Sequence, residues 1–578
     1  MTTLSQQRVF AEQAVIPAAA LTLVCWLYLM LLTWVGVHAW DDGAITLAYA
    51  RTVAEVGRFA VTPVSEVVEG SSSLLFVAAM AALNALMTLS FDGFIRASQM
   101  TALGAWLLTL LAVERQLRPH VPAPQARAIL VGLLGILPMP MAEIFNGMEM
   151  TTLALLLVGL VGAFERRHVA LFALIPLVLL VRFESVFYLG VAFAGLVLFR
   201  PRDRTWAWRA GLWTLAVWLL VAVWRWQVFG DWMPNTVRAK MHAPYMPEGH
   251  GLTFLLAKGE GLLEFLKVNL AWLLALGWLE RRVAAGRGPS WAMLDLRAWL
   301  VLAFGVFAAL SGANWGYQGR MCLAVLPLLF IWVAQRWSWL SARAGSGAGA
   351  AARSAFWPLM GLLSATVVIN ANVLMYDAKA VVRGSFYQGK LPQAVHERVA
   401  AHLQSDKVEF AHWMGVTPAN FRATGLVVDR VRQSLGQSQI GLLTPDVGGL
   451  ALCCPGIRVL DYGLLTSRDL AHTGYAGLEA YLGRERPDLI ITHTFWSELS
   501  HIYSLPGFTR GYVPVVIDQM HMWLRRDHLA VLLSSRDWQS QPLADPQALK
   551  QAKYGGKPED LAYVQSRGSE TIWALTPQ

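Results

Sequence analysis

"HAWDDGAITLAYARTVAEVGRF" (residues 38–59) begins where an apolar run, about Val15 to Val37, ends. Two adjacent carboxylates, Asp41 and Asp42, thus stand where a membrane helix should emerge into water. The whole chain fits that setting. Of its 578 residues 56% are hydrophobic, only 15% are charged and 25 are tryptophan. A soluble domain is closer to half apolar and a quarter charged, so the composition is that of an integral membrane protein. The net charge of +9 does not point to nucleic acid. Its arginines lie in short clusters between apolar runs, as the positive-inside rule expects of cytoplasmic loops. The run at Val15–Val37 is too long for a signal-peptide core and is followed by no small-residue cleavage site, so it reads as a span.

Further apolar runs lie near 72–90, 97–113, 127–145, 150–164, 168–199, 209–229, 266–279, 297–312, 321–339 and 355–376. At about 20 residues per crossing, this predicts a polytopic α-helical membrane protein with about eleven spans. The run 168–199 is also readable as two short helices broken at Arg182–Glu184. Basic connectors at 164–168, 199–206, 279–288 and 336–354 belong in the cytoplasm. The last, rich in Gly, Ala and Ser, reads as a flexible loop. Three runs between Ser71 and Phe145 cannot join two outer loops by simple alternation, so one of them is expected to be re-entrant or interfacial. From about Asp377 the composition becomes that of a soluble domain. "QIGLLTPDVGGLALCC" (439–454) reads as a strand, a turn and a helix start, "DLIITHTF" (488–495) and "YVPVVID" (512–518) as strands, and 420–435 as a helix. The expectation is a transmembrane domain over 1–376, with a periplasmic loop at 38–72, and a C-terminal periplasmic α/β domain over 377–578. Cys25, Cys322 and the neighbours Cys453 and Cys454 have no metal spacing and are expected to be buried thiols.

Chemistry gathers on the outer side. Ionisable groups at membrane depth cost several kcal/mol unless solvated or paired, and the outer loops carry mixed-sign sets of them, whereas the inner loops are mainly Arg. Ile45, Ala48, Tyr49, Thr52 and Val56 recur at helical spacing and predict a short amphipathic helix lying in the interface, with Arg51 and Glu55 paired on its wet face. The Asp pair is then held near headgroup level. There a carboxylate can act as general base on an acceptor hydroxyl, or the two together can hold a divalent cation such as Mg or Mn. Adjacent side chains do not readily share one job, so one is expected to face the site and the other to orient or cap. Lys240, Arg238, Arg320 and Arg182 are the candidate cations for a departing phosphate. For Arg182 a buried ion pair with Glu184 is an equal alternative. His493 reads as packing.

The ordered motifs resemble a known family. "DDGAI" (41–45), "EGSSSLL" (69–75), "GMEM" (147–150), "RFE" (182–184), "PNTVRAK" (234–240) and "GYQGRMCLAVLP" (316–327) are similar to those of GT-C membrane glycosyltransferases. More narrowly, they are similar to the mycobacterial terminal arabinofuranosyltransferase family, and "RVLDYGLLTSRDLA" (458–471) extends the likeness into the soluble domain. Gly43, Ser71 and the lengthened gap before Pro327 depart from the family pattern. The resemblance implies a bacterial inner-membrane enzyme with a polyprenyl-phosphate sugar donor, D-arabinofuranose for instance, a periplasmic active site and inverting transfer with an Asp as base.

These readings converge on a polyprenyl-phosphate-dependent glycosyltransferase acting on a hydroxyl of a periplasmic glycan or glycoprotein. Asp41 is the first choice of base, with Asp42 orienting it or binding the cation. Glu69, Glu149, Glu184, Asn235 and Tyr317 are expected to support the pocket. The rival readings are a lipid-linked sugar transporter or flippase and a non-catalytic envelope or flagellar assembly protein. Against the first stand the position of the charges at helix ends and the large one-sided soluble domain, unusual for a carrier. No glycine fingerprint for a nucleotide sugar is present.

Overall fold

The computed structural model describes residues 2–243, 245–246, 252–284, 294–311, 317–343, 354–405, 415–543, 545, 549, 558–566 and 571–578. The chain forms two compact units from interleaved segments. One comprises Met1–Thr33, Ala97–Val223 and Gly249–Val381, and the other Trp34–Arg96, Trp224–Glu248 and Val382–Gln578. Both draw residues from either side of position 376.

The chain is mostly helical, and among the described residues four helices are long and apolar enough to cross a membrane: Val15–Val35, Phe91–Leu117, Arg204–Phe229 and Gly259–Arg282. Two bent pairs raise the number to six if each counts as one span. The expected runs resolve into shorter pieces for local reasons. Pro138 opens a helix, and the residue before a proline is pushed out of the helical region. Leu137 is accordingly extended, and the run 127–145 becomes Pro124–Gly135 and Pro138–Asn146, bent by 53°. Arg182 is likewise extended and divides 168–199 into Ala170–Val181 and Ser185–Phe199. Leu74–Met87 has 14 residues, about 21 Å at 1.5 Å per residue, short of a hydrocarbon core of about 30 Å. The connector expected as a loop at 336–354 is helical as far as Arg343, and the rest of it to 353 lies outside the described residues. Leu220, Val223 and Trp226 on Arg204–Phe229 expose more than half of their surface, which suits a helix solvated by lipid.

The second unit carries a seven-stranded sheet. Its strands are β1 (Ile440–Thr444), β2 (Ile457–Asp461), β3 (Leu489–Ile490), β4 (Tyr512–Ile517), β5 (Met520–Arg525), β6 (Trp538–Leu543) and β7 (Ile572–Pro577), in the order β2-β1-β3-β5-β4-β7-β6. β2, β1 and β3 run parallel, β5 is antiparallel to both β3 and β4, and β7 joins β4 in parallel. Successive side chains alternate between faces. Leu442, Val459, Val513 and Val515 enter one core with Val427, Val428 and Val431 of the helix Pro418–Ser434. Leu443, Leu460, Val516 and Trp523 enter the other.

The helix Asp42–Val56 belongs to this unit. It does not lie with its apolar stripe in an interface. Ala44, Leu47, Ala48 and Tyr49 are buried in the sheet unit's core, while Val56, expected on the apolar face, is 49% exposed. The helix packs on Leu74–Met87 and on the small-residue helix Gly448–Cys453, where alanine and glycine permit close approach. Cys453 and Cys454 are joined to each other as a disulfide, not left as the expected thiols, whereas Cys25 and Cys322 are free.

Candidate functional site

Asp41 is 3% exposed and precedes the helix Asp42–Val56. Its amide donates to Val416 O at 3.2 Å, and its carbonyl accepts from the Ala44 amide at 2.8 Å. Its carboxylate reaches a distant part of the chain: Gly449 N–H donates to Oδ1 at 2.8 Å and Gly448 N–H to Oδ2 at 3.0 Å. These are N-terminal amides of the helix Gly448–Cys453, two of the donors that a helix start cannot satisfy internally. Glycine is needed there. A Cβ on Gly448 would lie 2.4 Å from Asp41 Oδ2, and one on Gly449 would strike the Pro418 carbonyl. The other end of the same short helix is held by Arg51, whose Nη1 donates to Leu452 O at 2.7 Å. An acid at the amino end and a guanidinium at the carboxyl end both oppose the helix dipole. Arg51 also makes the expected pair with Glu55, at 2.7 Å.

Burial raises the pKa of Asp41 well above the usual carboxylate range, and the charges of Asp446 and Asp42 add to the shift against the pull of the two amides. Asp446 lies in the turn after β1, and Asp461 ends β2. Asp461 is buried and accepts from the amides of Gly463 and Thr466, both at 2.7 Å, and from Thr466 Oγ1. Burial outweighs those bonds and pushes its pKa up to about 7, with the charge of Asp446 adding. Tyr245, whose hydroxyl donates to Gly463 O at 2.8 Å, is raised by burial and then by the charges of Asp461, Tyr475, Asp42 and Asp446. Asp42, Asp446 and Asp461 therefore act on one tyrosine. Of the expected pair, Asp42 is the half-buried member. The sequence reading named neither Asp446 nor Asp461. Their signal is positional, because Asp461 ends one parallel strand and Asp446 closely follows another, at the strand ends where ligands of open α/β sheets gather.

The remaining expected residues of this unit are mostly committed to neighbours. Arg238 forks onto Asp231, Nε to Oδ2 at 2.9 Å and Nη2 to Oδ1 at 3.0 Å. Burial opposes ionisation of Asp231, but the Arg238 fork and the Met233 amide outweigh it and hold its pKa down. His472 Nε2 stands 3.1 Å from the same carboxylate. Asn235 donates through Nδ2 to Leu464 O and Leu465 O, tying its short helix to the segment after β2. Lys240 is half-buried at the end of the helix Asn235–Ala239. Glu69 is buried and takes a two-pronged bond from Arg225, at 2.7 and 2.9 Å. Arg225 was not anticipated, since it lies inside an apolar run.

The expected residues of the other unit form a separate cluster. Arg182 Nη1 donates to Glu149 Oε1 at 2.7 Å, and Nη2 pairs with Glu184 Oε1 at 2.6 Å. Arg320 Nη1 contacts Met148 Sδ at 2.6 Å. Glu143, absent from the sequence reading, is fully buried; its Oε1 accepts from the Met150 amide at 2.8 Å, while Oε2 has no hydrogen-bond partner among the described residues. Tyr317 begins a 3₁₀ turn, but its side chain lies outside the described residues.

A cation held by Asp41 and Asp42 would have to share the Asp41 oxygens with the two glycine amides. Among the described residues no group of three or more His, Cys, Asp or Glu side chains is placed to hold a metal ion. Comparison with protein-family models, curated proteins and solved structures finds no match.

Proposed function

We propose that the chain is a membrane glycosyltransferase that moves a sugar from a polyprenyl phosphate to a hydroxyl of a periplasmic glycan or glycoprotein. The observation that carries this reading is the division of labour between the two adjacent acids. Both Asp41 oxygens hold backbone amides, so that carboxylate is a positioning group. Asp42, half-buried beside it, is the base. In the reaction, Asp42 takes the proton of the acceptor hydroxyl as that oxygen bonds to the anomeric carbon. The bond from that carbon to the phosphate oxygen breaks on the opposite face, and the polyprenyl phosphate leaves with the electron pair. The configuration inverts. Lys240 and Arg238 are the candidates to stabilise the leaving charge; the Arg238 guanidinium is also forked onto Asp231.

The apolar helices fit a lipid-borne donor. The Cys453–Cys454 disulfide fits an oxidising compartment such as the periplasm. Arabinofuranose is the sugar proposed from the motif resemblance. The test is transfer from a radiolabelled polyprenyl-phosphate sugar by purified protein in lipid nanodiscs. Transfer that stops in Asp42→Asn, with unchanged thermal stability, supports the reading. Transport of the lipid across the bilayer without any transfer would replace it by the flippase alternative.

A further inference from the structure

A cleft of about 360 Å³ lies beside the edge strand β2, lined by Val64, Glu66, Arg458, Asp469, Arg484 and Glu485 among others. That volume falls in the range of small-molecule sites, about 300–1,000 Å³. The strand edge beneath is capped rather than open. Thr62 Oγ1 donates to Ile457 O at 2.8 Å, and Val459 N–H donates to Ser65 Oγ at 3.0 Å, so two hydroxyls replace a neighbouring strand. The wall is held in a chain of charged contacts. Arg458 donates to Glu485 Oε2 and to its carbonyl, both at 2.8 Å. Arg484 Nε reaches Glu485 Oε1 at 2.8 Å, and its far end pairs with Asp469. The same guanidinium lies over the Tyr481 ring, 5.4 Å from its centre, and the Tyr481 hydroxyl meets Ser467 Oγ at 3.0 Å. Across the cleft, Glu66 is fixed by the Arg468 amide at 3.2 Å.

The charge pattern selects the ligand. Three carboxylates face two guanidiniums that they already neutralise, so an anion gains nothing by entering. The acids are spread along the wall and shared with arginine, and they do not converge on one point as a hard cation requires. What the wall offers is alternating donors and acceptors held in place by their mutual contacts. That matches vicinal hydroxyls, each both donor and acceptor. We infer that this cleft binds a neutral, polyhydroxylated sugar unit of the acceptor glycan, which rests on the glycosyltransferase reading for its place in the reaction.

The test uses the full chain in nanodiscs, with neutral arabino-, galacto- and manno-oligosaccharides as probes and binding read by saturation-transfer NMR and calorimetry. At least one probe binds, and Arg484→Ala and Asp469→Ala, both at half-exposed side chains, each weaken it by about tenfold or more. Inorganic phosphate and calcium do not compete. Asp42→Asn binds the same probe as tightly as the wild type. Failure of all three probes, competition by phosphate or calcium, or affinity unchanged in both cleft variants would overturn the assignment. Sugar binding that passes these tests while the wild-type chain transfers no sugar from a labelled polyprenyl phosphate leaves the sugar site standing and removes the glycosyltransferase reading.

Discussion

Buried acids are answered in two different ways in this molecule. In the helical unit, Glu149 and the part-buried Glu184 meet a guanidinium on Arg182 and Glu114 meets Arg127, as Glu69 of the sheet unit meets Arg225. In the sheet unit, Asp41 and Asp461 meet backbone amides, as one oxygen of Glu143 does in the helical unit. The first arrangement cancels charge locally and fixes helices that have little water to solvate them. The second leaves the negative charge uncancelled, so burial, with the charge of Asp446 adding, holds their protons more tightly. Ion pairs thus behave as framework, and amide-held acids as groups whose protonation and position are adjustable. The region with adjustable acids is the better place for proton transfer.

Arg182→Met should produce the largest effect. It strands two carboxylates, and breaking a buried pair costs about 3–5 kcal/mol, read as a large fall in the unfolding midpoint. A fall no greater than that of an exposed-pair variant such as Arg484→Ala would erase the contrast. Asp41→Ala should cost about 2–4 kcal/mol by orphaning two buried amides. Asp41→Asn should cost less, because one oxygen remains to accept. A transfer rate that falls in Asp41→Asn while stability does not would return the base to Asp41.

The pH dependence sharpens the same contrast. Asp461 binds its proton up to about pH 7 when folded but only to about pH 4 when unfolded. Between those values the folded state carries more protons, so stability falls as pH rises, by at most about 1.4 kcal/mol per unit from this group. Burial shifts Asp41 in the same direction and adds to the slope. Asp461→Asn should flatten the slope of unfolding free energy between pH 4 and 7, even though it lowers stability throughout. The smallest effect belongs to Arg51→Ala, about 1 kcal/mol for one guanidinium-to-carbonyl bond, visible as faster amide exchange at Leu450–Cys453.

Much of the fold was legible. The strand at 440–444, the helices at 418–434 and 448–453 and the break at Arg182–Glu184 follow from alternation, small-residue patterning and a charged interruption. Helix lengths were less legible, because hydropathy registers an apolar run but not the bends at Leu137 and Asn370. β6 and β7 carry weak patterns; β6 is exposed along most of its length, so its side chains are under little constraint to alternate. At the site, the sequence reading expected one of Asp41 and Asp42 to face the site and the other to orient it, but the Asp41 contacts were not legible. They are made by Gly448 and Gly449, some four hundred residues downstream. Arg225 and Glu143 were hidden inside apolar runs, where a single charge is outweighed in any window average. The adjacent cysteines were read as thiols because such neighbours rarely bridge, and here they do.

The most direct measurement is sugar transfer from a labelled polyprenyl phosphate by Asp42→Asn and Asp41→Asn side by side, each with its unfolding midpoint. The account predicts that Asp42→Asn loses about a hundredfold or more in rate with its midpoint unchanged, and that Asp41→Asn is less stable. Wild-type transfer by Asp42→Asn would contradict it.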